Sequence, residues 1–181
     1  MAERIASVIV LAEDVTQTNF AYRALIRKGY DWRAIRVMPA PHGKGSGEQY
    51  VRENFPIEVA QYRNQVARVS VSLVTLIDAD KGTVARRESQ LWKALRDEGI
   101  PPRRNTERIA LLIPRRNIET WILCVTGVRV NETTDYSGRN DVQEKIRPAA
   151  EKFFEWSRPG YKVPAHCIPS LRRAFPEFRR I

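Results

Sequence analysis

Four short apolar runs, separated by stretches of helical periodicity, constrain the fold more than any other feature of this chain of 181 residues. Three of them, residues 6–12, 73–77 and 109–113, are almost continuously apolar, which is typical of strands buried on both faces of a parallel sheet. The remaining run, residues 34–38, is the second along the chain. It alternates between apolar and polar residues and is expected nearer a sheet edge. This order predicts an α/β fold, with a mostly parallel sheet flanked by helices and right-handed crossovers.

Capping residues mark where the helices are expected to begin and end. The helix after the first strand is predicted to begin at Thr16 or Thr18 and to end at Gly29. The helix after the second strand contains Pro56, and we expect an interruption there. The helix after the last strand is predicted to begin at Asn117, whose side chain is a favourable N-cap.

The chain divides by composition into two parts. Residues 1–127 carry the alternating strands and helices and form the predicted α/β domain. Residues 128–181 begin with a polar loop and continue with a helical segment that contains Pro148, either as one kinked helix or as two helices. They end in a basic, proline-punctuated tail. Because no linker separates the two parts, we expect a basic, helical C-terminal extension packed on the same domain.

The charge of the chain is strongly basic and is carried mainly by arginine. The formal net charge is +10, and 24 of the 31 basic residues are Arg. The planar guanidinium binds phosphate in a bidentate manner, so nucleic acid is a candidate partner. A genome rich in G and C, which encodes Arg where others encode Lys, explains the same composition equally well.

The apolar runs, the N-terminus and the cysteines indicate where in the cell the protein is located. No apolar run approaches the length of a membrane span, so we predict no membrane association. The N-terminus does not resemble a signal peptide. The two cysteines, Cys124 and Cys167, lack the spacing of metal ligands. They are predicted to be reduced thiols, and the protein is predicted to be cytoplasmic.

Acidic residues follow three of the four predicted strands. Glu13 and Asp14 follow the first strand, and Asp78 and Asp80 follow the strand at 73–77. Glu119 lies a few residues beyond the end of the last strand. In open α/β sheets, ligands bind beyond the carboxyl ends of the strands. Carboxylates gathered there repel one another, and Mg²⁺ or Mn²⁺ is the natural counter-charge. A single such acid is more simply a helix cap or an arginine partner, whereas acids at three strand ends favour a metal site.

These residues resemble the motifs of the Toprim domain, the catalytic domain shared by topoisomerases, primases and nucleases of the overcoming-lysogenization-defect type. The resemblance rests on Glu13 after the first strand and on the Asp-Ala-Asp motif at 78–80, and it covers about residues 5–125. The segment at 114–121 is similar to one in small stand-alone bacterial Toprim-like proteins. The resemblance implies a Toprim/Rossmann-like sheet. It further implies a role in phage defence, beside an ATPase partner. Because the chain is small, a homodimer is a further candidate for the active form.

The resemblance also implies roles for the acids. Glu13 matches the acid that binds metal or acts as general base, and Asp78 and Asp80 match the pair that holds Mg²⁺. Glu119 is a further candidate ligand. The first motif usually has Gly after the Glu, whereas Asp14 stands here, which makes Asp14 a candidate ligand for a second metal.

A glycine-rich loop and its neighbours supply candidate phosphate ligands. The loop at 41–53 can expose backbone N–H groups to an anion, although a flexible turn without a ligand is an equal alternative. It lacks the Walker A spacing, so no ATP binding is predicted. Whether Glu132 and Asp135, in a later polar loop, approach the site is left open. The candidate phosphate ligands are Lys44, Arg52, Arg115 and Arg116.

The function predicted on these grounds is that of a Mg²⁺-dependent nuclease acting on DNA or RNA. The main alternative is a non-catalytic module of Toprim shape that binds nucleic acid or a partner protein through its basic surface. A third possibility, phosphotransfer or nucleotidyl transfer, would use the same acids but would require a nucleoside triphosphate.

Overall fold

The computed structural model describes residues 7–43 and 45–181. It contains four strands: β1 (Ser7–Ala12), β2 (Ile35–Pro39), β3 (Val71–Leu76) and β4 (Ile109–Leu112). It contains six α-helices: α1 (Val15–Lys28), α2 (Gly47–Val66), α3 (Val84–Asp97), α4 (Ile118–Val125), α5 (Val142–Ser157) and α6 (Pro169–Arg179). The predicted α/β fold, with a parallel sheet flanked by helices, is confirmed. Ala6, included in the first predicted strand, lies outside the described residues.

The strand order places a crevice at the carboxyl ends of two particular strands. All strand pairs are parallel, in the order β2-β1-β3-β4, and Val10 of β1 lies between Val37 and Val74. The chain leaves β1 toward β2 on one side, whereas β3 and β4 lie on the other side. This reversal is the topological switch point of Rossmann-like sheets, and ligands bind at such points. It lies between the ends of β1 and β3.

Apolar side chains fill both faces of the sheet. Successive strand residues point to opposite faces, so Val10 packs into one core and Leu11 into the other. Helices α2 and α3 cover the Leu11 face, and the remaining four helices cover the Val10 face. Phe153 of α5 lies at the centre of this larger core, where four rings surround it: Phe20, Trp121, Phe175 and Phe178. The C-terminal helices therefore share a core with the sheet.

The last helix also protects the open edge of β4. Glu177 of α6 accepts a hydrogen bond from the backbone N–H of Leu111 at 2.9 Å. Its partner Arg103 donates to the carbonyl of Ile109 at 2.8 Å and pairs with the Glu177 carboxylate. The two side chains thus satisfy backbone groups that an adjoining strand would otherwise bind, which removes an exposed sheet edge.

Substitution Glu177→Ala is expected to lower the free energy of unfolding by about 1–3 kcal/mol, because it leaves the Leu111 N–H and the Arg103 guanidinium without their acceptor. Urea denaturation measures the change. Glu151→Ala is the matched control, since Glu151 lies in an exposed pair with Arg147 and its loss should cost about 0.5 kcal/mol or less. Equal losses in the two variants would contradict the role of Glu177 at the sheet edge.

One helix boundary and one helix interruption differ from those predicted. The N-cap of α1 is Asp14 rather than Thr16 or Thr18, because the Asp14 carboxylate accepts a hydrogen bond from the N–H of Gln17 at 2.8 Å. Helix α2 continues through Pro56, and its interruption was wrongly predicted. A proline removes a single helical hydrogen bond, and the burial of neighbouring side chains on the sheet outweighs this loss.

The remaining expectations concern the end of α1, the C-terminal helices and the cysteines. Gly29 adopts a left-handed conformation, with φ of 113°, and ends α1 as predicted. Helix α5 runs unbroken through Pro148, which settles the choice between one helix and two. The proline-punctuated tail contains α6, which continues through Pro176. Cys124 and Cys167 are buried free thiols.

Candidate functional site

Two acidic residues meet at the switch point of the sheet. Glu13 directly follows β1, and Asp78 lies two residues beyond β3. Because β1 and β3 are parallel neighbours, their carboxyl ends lie side by side. The backbone N–H of Asp78 donates a hydrogen bond to Glu13 Oε1 at 2.5 Å. The structure therefore brings together these two predicted site residues from segments that are far apart in the sequence.

Burial makes this pair electrostatically unfavourable when both groups are ionised. Asp78 is only 7% exposed, and its Oδ1 accepts no hydrogen bond from any described residue. Burial raises the pKa of Asp78 well above its usual value, and the charge of Glu13 raises it further. Burial likewise raises the pKa of Glu13 to about 7, against the lowering effect of the hydrogen bond from Asp78. A bound cation would relieve the repulsion between these groups.

Asp80 occupies a different position from Asp78. Its backbone φ is 52°, a left-handed conformation that is uncommon for a residue other than glycine. Its side chain is 54% exposed, and Oδ2 lies 3.3 Å from Arg87 Nη2. Asp80 thus faces solvent at the rim of the site, and an arginine already provides part of its counter-charge.

Arg87, in the first turn of α3, is a central residue that sequence analysis did not single out. Its side chain is buried, and its Nε donates to the carbonyl oxygen of Asp78 at 2.8 Å. Its remaining nitrogens contact the side chains of Glu48, Gln90 and Asp80. This arginine links the loop after β3 to α2 and α3. The signal available in the sequence was the pair Arg86-Arg87 at the start of the helix that follows the Asp-Ala-Asp motif.

Glu119 and Asp14 extend the acidic group toward β4 and α1. Glu119 is half-buried in the first turn of α4, and its pKa is raised by burial and by the charges of Asp14 and Asp135. Its own charge contributes to the raised pKa of Asp78. The predicted N-cap Asn117 is confirmed, since its side chain accepts from the N–H of Thr120 at 3.3 Å. The acidic residues that follow three of the strands therefore lie close enough to raise one another's pKa values.

The arginines after β4 have protein partners. Arg115 donates to the carbonyl of Gly82, and Arg116 lies 3.0 Å from the Asp135 carboxylate. Asp135 therefore does approach the site, from the loop between α4 and α5. Glu132 does not serve the same purpose, because it accepts a hydrogen bond from the Ser170 N–H in the first turn of α6.

The glycine-rich loop leads into α2, whose first residue touches Glu13. Lys44, a predicted phosphate ligand, lies outside the described residues. Arg52 lies in α2 and pairs with Glu48. A Cβ added at Gly47 would lie 2.6 Å from the Glu13 carbonyl oxygen and 2.8 Å from its Cβ. Only glycine permits this approach, so the start of α2 contributes to the position of Glu13.

Substitution Gly47→Ala is expected to lower the free energy of unfolding by about 1–3 kcal/mol, because α2 must move away from Glu13 to accommodate the new methyl group. Urea denaturation measures this cost. Gly138→Ala is the control, since a Cβ at Gly138 meets nothing within 4 Å. If both variants are as stable as the parent, the close approach of α2 to Glu13 is wrong.

The four predicted metal ligands, Glu13, Asp14, Asp78 and Asp80, do not form a closed cage. In the described part of the chain, no group of three or more His, Cys, Asp or Glu side chains is arranged to hold a metal ion. Asp14 caps α1 and Asp80 pairs with Arg87. Mg²⁺, however, is commonly held by one or two carboxylates together with waters and substrate phosphate. Glu13 and Asp78, with the unpartnered Oδ1 of the latter, fit that mode of binding.

Comparisons with protein-family models, with curated proteins and with solved structures found no match. Within the described residues, none of the helices has both the length and the apolar character needed to cross a membrane. The residues of the site and their chemistry are therefore the basis for a functional proposal.

Proposed function

We propose that this chain is a divalent-metal-dependent phosphodiesterase that cleaves nucleic acid. The observation that carries the proposal is the contact between Glu13 and Asp78 at the switch point, where a buried carboxylate oxygen has no partner among the described residues. Nucleic acid is the favoured substrate because a net charge of +10 attracts polyanions. The resemblance to the Toprim domain supports the same activity.

The Glu13 and Asp78 carboxylates would hold Mg²⁺ or Mn²⁺, and Asp80, Asp14 and Glu119 lie around them as further candidate ligands. The bound metal would supply charge neutralisation and activation of water. Arg87 keeps the loop after β3 in place through the Asp78 carbonyl and the Asp80 carboxylate.

A second candidate is a non-catalytic module that binds nucleic acid. It is favoured by the lack of a three-residue metal group in the described segments and by Arg87, which already offsets part of the acidic charge. Under this proposal the basic surface binds the phosphate backbone and the acids have a structural role. A function in phage defence, an ATPase partner, a homodimer and a cytoplasmic location stay predictions that the sequence alone supports.

The two candidates differ in their dependence on metal. Purified protein is incubated with supercoiled plasmid, linear DNA and single-stranded RNA, each with Mg²⁺, Mn²⁺ or EDTA. A phosphodiesterase produces cleavage products with metal only, and the double variant Asp78→Ala/Asp80→Ala produces none. A binding module retards nucleic acid in EDTA with a steep dependence on salt, and added Mg²⁺ yields no product. The second outcome would contradict the proposed activity.

A further inference from the structure

A cleft of about 470 Å³ lies beside the acidic residues, between the start of α2 and the start of α3. Ala79 and Asp80, which follow Asp78 in the chain, form part of its lining. Its lining is rich in cationic and hydroxyl side chains: Ser46, Arg52, Lys81, Thr83, Arg86 and Arg87. Four cations face the two carboxylates of Glu48 and Asp80, which leaves an excess of two positive charges.

The excess charge can be assigned to two side chains. Arg87 and Arg52 both contact Glu48, and Arg87 also pairs with Asp80. The side chains of Lys81 and Arg86 make no hydrogen bond or ion pair with any residue that the structure describes. By contrast Lys93, farther along the same helix, pairs with Asp97. The uncompensated charge at the start of α3 is therefore concentrated at the mouth of this cleft.

Hydroxyl groups at the starts of α2 and α3 also line the cleft. Ser46 and Thr83 are the N-caps of α2 and α3, and each hydroxyl oxygen accepts a backbone N–H. Each hydroxyl keeps its own proton available for donation to a ligand. The partial positive charges of both helix N-termini also act on the cleft. Cations and hydroxyl donors together suit an oxyanion ligand better than a neutral one.

We propose that this cleft is a phosphate-binding subsite, and that it takes a phosphate group of the nucleic-acid strand next to the position where the strand meets the acids. The identity of the ligand rests on the proposed function, whereas the affinity for phosphate rests on the cleft itself. Two uncompensated cations match the charge of a terminal phosphomonoester, which is nearly a dianion, better than that of an internal phosphodiester. The subsite therefore favours strands with a terminal phosphate.

Binding is measured by fluorescence anisotropy in EDTA, so that no cleavage occurs. The probes are single-stranded oligonucleotides of one sequence, with either a 5′-phosphate, a 3′-phosphate or hydroxyl groups at both ends, and inorganic phosphate serves as competitor. The test variant is Lys81→Gln/Arg86→Gln. The matched control is Lys93→Gln/Arg96→Gln, which removes the same charge from exposed positions on the same helix. Thermal denaturation checks that both variants are folded.

We expect at least one terminally phosphorylated strand to bind the parent protein about tenfold more tightly than the hydroxyl strand, as for a charge-assisted contact. Lys81→Gln/Arg86→Gln should remove this preference, and the control should retain it. If the test variant instead weakens all strands equally, and more than the control does, the cleft binds phosphate as proposed, but the preference for a terminal phosphate is wrong. Equal effects of the two variants on every strand would overturn the proposal. Because binding is read without metal, failure of cleavage would leave this result standing.

Discussion

If the proposed activity is correct, substitution Asp78→Asn is expected to reduce metal-dependent cleavage by about 100-fold or more, because it replaces a carboxylate proposed to bind the metal with an amide of the same size. Asp78 is the most buried of the site acids, and its backbone N–H donates a hydrogen bond to the Glu13 carboxylate. The amide removes the charge that the proposed activity requires. The rate is measured on whichever nucleic acid the parent protein cleaves, at saturating Mg²⁺.

The stability of the same variant separates loss of activity from loss of fold. In EDTA, Asp78→Asn is expected to raise the free energy of unfolding at pH 7 by about 0.5–2 kcal/mol, since folding then no longer carries the cost of burying an ionisable carboxyl group beside Glu13. Asp97→Asn is the control, because Asp97 is exposed at the end of α3, and both its activity and its stability should stay near those of the parent. Retained cleavage by a folded Asp78→Asn protein would refute the assignment of Asp78.

Substitution Arg87→Met is expected to lower the free energy of unfolding by about 2–4 kcal/mol, because it removes the donor to the buried Asp78 carbonyl and one of the two arginines that contact Glu48. Arg87 binds the Asp78 carbonyl and the side chains of Glu48 and Asp80. The side chain of Met retains apolar volume, so most of the loss reflects the missing charge. Urea denaturation in EDTA measures the change.

Two further variants test the cause of this loss. Arg86→Met alters the neighbouring exposed side chain and should change the free energy of unfolding by about 0.5 kcal/mol or less. Glu48→Gln should lower the free energy of unfolding less in Arg87→Met than in the parent protein, because its contact with Arg87 is already absent there. A loss below about 1 kcal/mol in Arg87→Met would show that the linkage between α2, α3 and the loop after β3 is not important for stability.

The strands and the acids that follow them could be predicted from local patterns alone. Continuous apolar runs mark strands buried on both faces, and the carboxyl ends of parallel strands lie on one edge of a sheet. That Glu13, Asp78 and Glu119 approach one another follows from these two rules. Which strands are neighbours was not predictable, because strand order depends on tertiary packing. The contact between Glu13 and Asp78 requires β3 to pair with β1.

Other features of the site depend on contacts that local sequence does not encode. Arg87 and Glu48 are 39 residues apart, and each alone resembles an ordinary charged residue in the first turn of a helix. Asp14 stands two residues before Thr16 and competes with it as N-cap, and backbone geometry decided in favour of Asp14. Pro56 was predicted to break a helix that the packing of α2 on the sheet preserves.

The proposed metal site is tested most directly by asking whether Asp78 is needed to bind a divalent cation. Mn²⁺ is titrated into the parent protein and into Asp78→Asn, and free Mn²⁺ is followed by its electron paramagnetic resonance signal. We expect the parent protein to remove Mn²⁺ from solution, excess Mg²⁺ to compete for the site, and Asp78→Asn to bind Mn²⁺ much more weakly. Equal binding by the two proteins, or none by the parent protein, would contradict the claim that these acids form a metal site.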